Sequence, residues 1–288
     1  MATDETTESG GTRDSERRRV HLPLAAPAKN QGGAPAPNAA ARNTLERVLA
    51  RLLRGIVRRA ARQTLQGRRV SRSDPAAGRF LGPDVDAFLA DMWRRVAAIL
   101  ASSSYVRAPT LGNRCNVFLA VLTVAAYHAL IAAGIERAYA CELFADVGWK
   151  VYERMIRIPL SFGRVVTRDP QRRIDVALRS LMRFPFSAPG RPGYEVTTRS
   201  INGCLHTDWS YCAPFGFVER YVAENGDRGE ADAFYQSWCL YDWPAADLLA
   251  GAGPFERGHY ARRHTLSRGD GVCDMRWSAA ALDERGRR

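Results

Sequence analysis

Reactive side chains crowd into the last third of the chain. Residues 203–212 read GCLHTDWSYC, residues 237–243 read SWCLYDW, and residues 259–277 read HYARRHTLSRGDGVCDMRW. Four of the six cysteines, three of the five histidines and four of the six tryptophans fall between Cys204 and Trp277. Thiolates attack electrophilic carbon, and carboxylates and imidazoles move protons. The spacing groups them in pairs. Cys204 and His206 are two apart, so on a strand both project to one face. Cys239 and Asp242 are three apart and share a face of a helix end. Cys273 and Asp274 are neighbours in an extended return, so only one of them faces inward. Together these pairs point to one small-molecule pocket at which several elements converge.

A metal centre is the first alternative. Structural zinc sites use short paired spacings of the CxxC type, and the spacings from Cys204 to Cys212, Cys239 and Cys273 are long and irregular. The expectation is no metal and no cofactor. Cys212, like Cys115 and Cys141 on apolar helix faces, reads as a small hydrophobe. Asp270 reads as a turn residue, and the tryptophans read as core or pocket wall, since no basic groove tracks with them.

The elements that must position these groups follow from periodicity. Residues 1–42 are rich in Gly, Pro, Ser, Thr and Ala and read as a disordered leader. From Asn43 a basic amphipathic helix is predicted: Leu45, Val48, Leu49, Leu52, Leu53, Ile56 and Val57 recur at helical spacing between arginines, and Gly67 ends it. It is assigned to an extension over residues 43–75, with three uses open: packing on the domain, meeting an acidic partner or membrane surface, or touching nucleic acid. Further helices are predicted from Asp84 to about Ser102, from Asn113 to Gly134, over 135–157 with Pro159 and Gly163 breaking the pattern, and over Ile174–Leu181. The proline- and glycine-rich residues 184–194 read as a linker. Then come a strand from Tyr194 (YEVTTRSIN), helices over 214–225 and 229–242, and a closing hairpin: His259–Leu266, a turn at 267–271, and Val272–Trp277. The last residues, ALDERGRR, read as a charged, frayed tail. The fold class is therefore α+β: an N-terminal helical layer packed on a small, mostly antiparallel sheet formed by the C-terminal third, with residues 76–288 as one domain.

Composition bounds the function. The formal charge is +12, but residues 1–72 carry 15 Lys/Arg against 6 Asp/Glu, and residues 73–288 carry 27 against 24. The basic surplus belongs to the N-terminal region, so the globular part is not a nucleic-acid surface. Arginine supplies 40 of the 42 cations, a skew that fits a GC-rich coding sequence. Six cysteines are too sparse for a disulfide-stapled secreted scaffold, and the N-terminus lacks the apolar core of a signal peptide. A reducing cytoplasm is expected. Val117–Ile135 is 19 residues without a formal charge, about the minimum span of a bilayer. Its alanines, Thr123, Tyr127 and His128 fit a buried core helix better. The expected partner is a small-molecule substrate rather than nucleic acid or a membrane, with a homo-oligomer left open.

At three blocks the chain resembles the L-2-amino-thiazoline-4-carboxylic acid hydrolase family. They are a strand ending in cysteine followed by a polar segment (YEVTTRSINGCLHTDW, 194–209), a Cys-x-x-Asp helix end (CLYD, 239–242), and a hairpin (RRHTLSRGDGVCDMRW, 262–277). The resemblance covers about the last 100 residues well and the helical region from about 80 to 185 in general character; residues 1–75 lie outside it. Met275 departs from it, standing where an aromatic is common. The resemblance implies hydrolysis of a cyclic amidine, opening a thiazoline to a carbamoyl-cysteine product. The candidate catalytic residues are then Cys239, Asp242, Cys204, His206 and Cys273. A thiolate attacks the carbon between nitrogen and sulfur while Asp242 or His206 moves protons. Cys239 comes first among the thiols because Asp242 lies one turn away, then Cys204 with His206, then Cys273. Arg263 or Arg276 would grip a substrate carboxylate, with His264, Trp209 and Trp243 beside it. Two other functions compete: a non-hydrolytic biosynthetic enzyme of the same fold, and a small-ligand-binding or sensing module with the basic helix as output.

Overall fold

The most apolar segment of the chain forms the middle of the protein. In the computed structural model, which describes residues 39–253 and 256–282, helix α3 spans Leu111–Ala132. Thr110 caps it, its hydroxyl accepting the Asn113 N–H, and Gly134 ends the turn beyond it at φ +81°. Two thirds of its most apolar window (67%) is buried by other helices, so the uncharged run is a core helix. The leader to residue 38 and the tail from residue 283 lie outside the described residues.

Around α3 stand α1 (Ala39–Leu65), α2 (Gly82–Leu100), α4 (Arg137–Val166) and α5 (Pro170–Arg183). The predicted basic helix is α1, and it is not merely an extension. Val57, Ala60, Ala61 and Leu65 are buried in the main core, and the helix packs along α4 and α2. Its upstream turns expose Val48 and Leu52. In α2, Asp84 sits at the third helical position, and its carboxylate accepts the Leu81 N–H, an acidic first turn that suits the helix dipole. Helix α4 corrects the expectation of a break near residue 158. It continues through Pro159, because Ile156 and Leu160 on either side are buried against Ile174, Ala177 and Leu178 of α5. That packing outweighs the one backbone bond a proline removes.

Residues 184–194 are pinned rather than free-running. Asn113 donates to the Pro185 and Ser187 carbonyls, Asn116 donates to the Tyr194 hydroxyl, and Tyr194 is 1% exposed.

The sheet begins at β1 (Glu195–Ile201) and β2 (Cys204–Tyr211). Asn202 and Gly203, at φ +49° and +69°, make the two-residue turn between them, and the Asn-Gly pair is the sequence signal for such a hairpin. The single predicted strand is thus two, and Cys204 opens the second instead of ending the first. Next come α6 (Ala213–Asn225), α7 (Glu230–Ser237), a 3-10 turn at Cys239–Tyr241, and α8 (Asp242–Ala250). The chain closes with β3 (Tyr260–Arg262) and β4 (Cys273–Trp277). The spatial order is β1-β2-β4-β3, with every neighbour antiparallel. The α+β class and the C-terminal antiparallel sheet are as expected. Helix α8 is an addition: Pro244 falls in its first turn, where the backbone N–H has no helical partner to lose.

Two apolar clusters form. The larger joins α1–α4 with α6 and α7. The smaller joins the end of α4, α5, α8 and the sheet residues Leu205, Tyr260 and Trp277. The sheet lays one face on them and presents the other to solvent, as antiparallel sheets do.

Candidate functional site

Strand parity decides which reactive groups meet. In β2, Leu205, Thr207 and Trp209 share the inner face, and in β4 their partners Trp277, Met275 and Cys273 do so. The pairs Tyr260↔Trp277 and Arg262↔Met275 then place Tyr260 and Arg262 inward from β3. Buried Thr207 fixes this face by accepting both indole N–H groups, from Trp209 at 3.2 Å and Trp277 at 3.1 Å.

A cavity of about 90 Å³ lies where the two apolar clusters meet. Its wall includes Ile156, Leu178, Leu181 and Leu249 from one cluster and Tyr194, Trp209, Phe234 and Trp238 on the other side. Cys212, Cys239, Asp242, Arg262 and Cys273 also line it. A water occupies some 10–15 Å³ on this measure, so the space suits one small ring. A smaller cavity, walled mainly by α3, α4 and the end of α7, shares Tyr152 and Trp238 with it.

The polar group at the centre is Asp242. One carboxylate oxygen accepts the Tyr260 hydroxyl at 3.2 Å and Arg262 Nη1 at 3.1 Å; the other accepts the Tyr152 hydroxyl at 3.5 Å. Arg262, 2% exposed in its side chain, also donates Nη2 to the Cys239 carbonyl at 2.9 Å and lies over the Trp243 ring at 4.8 Å. Desolvation dominates this site. Burial lifts Asp242 to about 6, even though Arg262 and the two tyrosines pull it down. It lifts the Tyr152 and Tyr260 hydroxyls well above their ordinary value. Asp242 also begins α8, where the helix dipole favours a carboxylate.

The thiols are held neutral. Burial pushes Cys239 up to about 12, against the opposing pull of Ser267 and Arg262. Cys212 and Cys273 are raised for the same reason. Two hydroxyls link two of them: the Cys239 sulfur is 3.1 Å from Ser267 Oγ, Ser267 is 3.3 Å from Thr265 Oγ1, and Thr265 is 3.3 Å from the Cys273 sulfur. The Leu266 N–H donates to that same sulfur at 3.2 Å.

Of the residues expected at the site, the structure gathers Cys239, Asp242, Cys273 and Trp209. The others stand apart. Cys204 and His206 do share a face, as their spacing predicts, but it is the face turned away from Thr207 and Trp209. There His206 pairs across the ladder with Arg276, and burial with that neighbouring cation lowers its pKa. Arg276 leaves the cavity by the same parity. Arg263 is exposed, and its N–H, like that of His264, donates to the Asp274 carboxylate. That carboxylate replaces the strand ladder and ends β3 early. His264 keeps its ring 3.1 Å from Asp274 on the surface. Trp243 packs behind the cavity, 4.6 Å from the Tyr260 ring, and supports Arg262 rather than meeting a ligand. Sequence reasoning missed Arg262, Tyr152, Tyr260 and the cavity position of Cys212. Tyr260 and Arg262 follow by alternation only once Tyr260 is known to stand opposite Trp277; the sequence alone does not select them over Arg263.

No family model, curated protein or solved structure matches this chain. The resemblance of the three blocks therefore stands on those residues alone. Among the described residues, no cluster of three or more His, Cys, Asp and Glu side chains is arranged to hold a metal ion.

Proposed function

We propose that this protein is a hydrolase-like enzyme that opens a small cyclic amidine or thiazoline, with Asp242 as the group that moves protons. One observation carries the reading: a buried carboxylate, raised to about 6, faces a ring-sized apolar cavity. Such a group is ionised at neutral pH yet acidic enough to return a proton, which is the balance general acid–base catalysis asks for. Water adds to the carbon of the N–C–N or N–C–S unit, and its proton passes to Asp242. The tetrahedral carbon then expels the ring nitrogen or sulfur, which takes that proton back. The product is the ring-opened amide from a cyclic amidine, or the urea or thiocarbamate from a 2-aminothiazoline.

The thiols enter as assistants. Neutral Cys239 and Cys273 wall the ring beside Asp242 and act as weak S–H donors. A second reading, supported by the place of Cys239 three residues before Asp242 in the same turn, makes the Cys239 sulfur the attacking atom. Asp242 then takes the thiol proton and returns it to the ring nitrogen or sulfur as that atom is expelled, leaving a thioimidate on Cys239 that water hydrolyses to release the thiol. Both routes need Asp242. A reducing compartment suits both routes, and the six cysteines form no disulfide.

The test is turnover of a panel of 2-aminothiazolines and cyclic amidines by the wild type, Asp242→Asn and Cys239→Ala. Asp242→Asn should cost about 100-fold or more in kcat, the usual range for a general base. Cys239→Ala should cost less than about tenfold if water attacks and more than about 1,000-fold if sulfur does. Full activity in Asp242→Asn would rule out the proposal. Binding without turnover by the wild type would instead favour a ligand-sensing module.

A further inference from the structure

The cavity's charge balance says more about its ligand than its size does. Among the described residues that line it, Arg262 is the one cation, and its charge is already matched by Asp242: Nη1 donates to that carboxylate, Nη2 to the Cys239 carbonyl, and the guanidinium lies against Trp243. The arginines expected to hold a substrate carboxylate lie elsewhere, Arg263 on the surface and Arg276 on the outer face of β4. A ligand carboxylate inside this space would sit near the Asp242 carboxylate with no cation of its own. Burying a charge unpaired is costly, and a like charge beside it adds to the cost.

Asp242, in contrast, has room for a further donor. Two carboxylate oxygens offer about four lone-pair sites, and three contacts reach them, the Tyr152 one being the longest at 3.5 Å. A planar N–C–N cation fits that remaining capacity and would rest among the rings of Tyr194, Trp209, Phe234 and Trp238, which favour a flat cation.

We propose that the ligand of this cavity is an amidine without a carboxylate: cationic along one N–C–N edge that meets Asp242, and apolar elsewhere. The inference rests on the reading of the site as one for cyclic amidines and narrows it to the uncharged-tail members of that class.

Calorimetric titration of the full-length protein at pH 7.5 with 2-aminothiazoline and with 2-aminothiazoline-4-carboxylate separates the two. The carboxylate-free compound should bind at least about tenfold more tightly, a difference of about 1.4 kcal/mol. Its affinity should fall at least about tenfold in Asp242→Asn, with circular dichroism checking that the variant is folded. Equal or tighter binding of the carboxylate by the wild type would overturn the proposal, as would failure of 2-aminothiazoline to bind at millimolar concentration. The two ideas fail separately. Tight binding of 2-aminothiazoline without turnover removes the hydrolase reading and keeps this one, whereas turnover of the carboxylate at a comparable kcat/KM does the reverse.

Discussion

Desolvation sets the character of the individual groups at this site. Burial favours the uncharged form of both, and it brings the pKa of Asp242 toward neutral pH while moving that of Cys239 away from it, although the two lie in one turn and share Arg262 as a neighbour. A reactive cysteine needs a lowered pKa, and at about 12 the Cys239 thiolate is on the order of one part in ten thousand at pH 8. Cys239, Cys212 and Cys273 should therefore resist iodoacetamide at pH 8 in the native protein, with mass spectrometry locating any label. Labelling of Cys239 at the rate of a free thiol would contradict this account of its surroundings. The sequence showed which residue types gather here, and the Cys239–Asp242 pair was legible from spacing. Arg262 was not chosen over Arg263, because that choice depends on where β3 ends. Asp274 ends it by capturing two backbone N–H groups, a long-range side-chain contact that no local pattern encodes.

The elements around the site depend on a few close approaches. The 3-10 turn carrying Cys239 is docked on α4 by Tyr241, whose hydroxyl donates to the Ala145 carbonyl at 2.7 Å. That ring lies directly over Gly148, where a Cβ would collide with its hydroxyl. Gly148→Ala gains about 1 kcal/mol of helix propensity, yet it forces the phenol aside at a cost of about 1–3 kcal/mol. The net expectation is a loss of stability in chemical denaturation, together with reduced ligand affinity because the Cys239–Asp242 turn moves. An unchanged or raised midpoint would count against this docking. The long helices were legible from their apolar periodicity. Helix α8 and the unbroken α4 were not, because prolines at 244 and 159 are read locally as breakers. One lies in a first turn that needs no N–H, and the other sits between buried residues that hold the helix together.

At the scale of the whole molecule, the described residues form one compact unit, and α1 belongs to it. Of the three uses the sequence left open for this basic helix, the structure shows packing on the domain: the small residues Ala60 and Ala61 let it approach closely, and both are fully buried. Leu65→Ala should cost about 2–5 kcal/mol, the range for a fully buried leucine, measured as a shift in denaturation midpoint. A cost below about 0.5 kcal/mol would mean that α1 is dispensable. The placement of the cavity is also a property of the whole. It lies where two apolar clusters abut, one built by α1–α4 with α6 and α7, and the other by the end of α4, α5, α8 and the sheet. Periodicity predicts each cluster's elements separately and is silent about the gap left where they join.

The central claim is that Asp242 is a buried carboxylate poised near neutral pH. A carboxylate whose pKa rises from 3.8 to about 6 on folding binds its proton more tightly in the folded state, so its ionisation above that range weakens the fold. At 1.36 kcal/mol per pH unit, the full effect is about 3 kcal/mol. Unfolding free energies of the wild type and Asp242→Asn at pH 4 and pH 7.5 isolate it, because every other titrating group is common to both. Relative to the variant, the wild type should lose about 2–3 kcal/mol of stability between pH 4 and pH 7.5. No change, or a gain, would contradict the account.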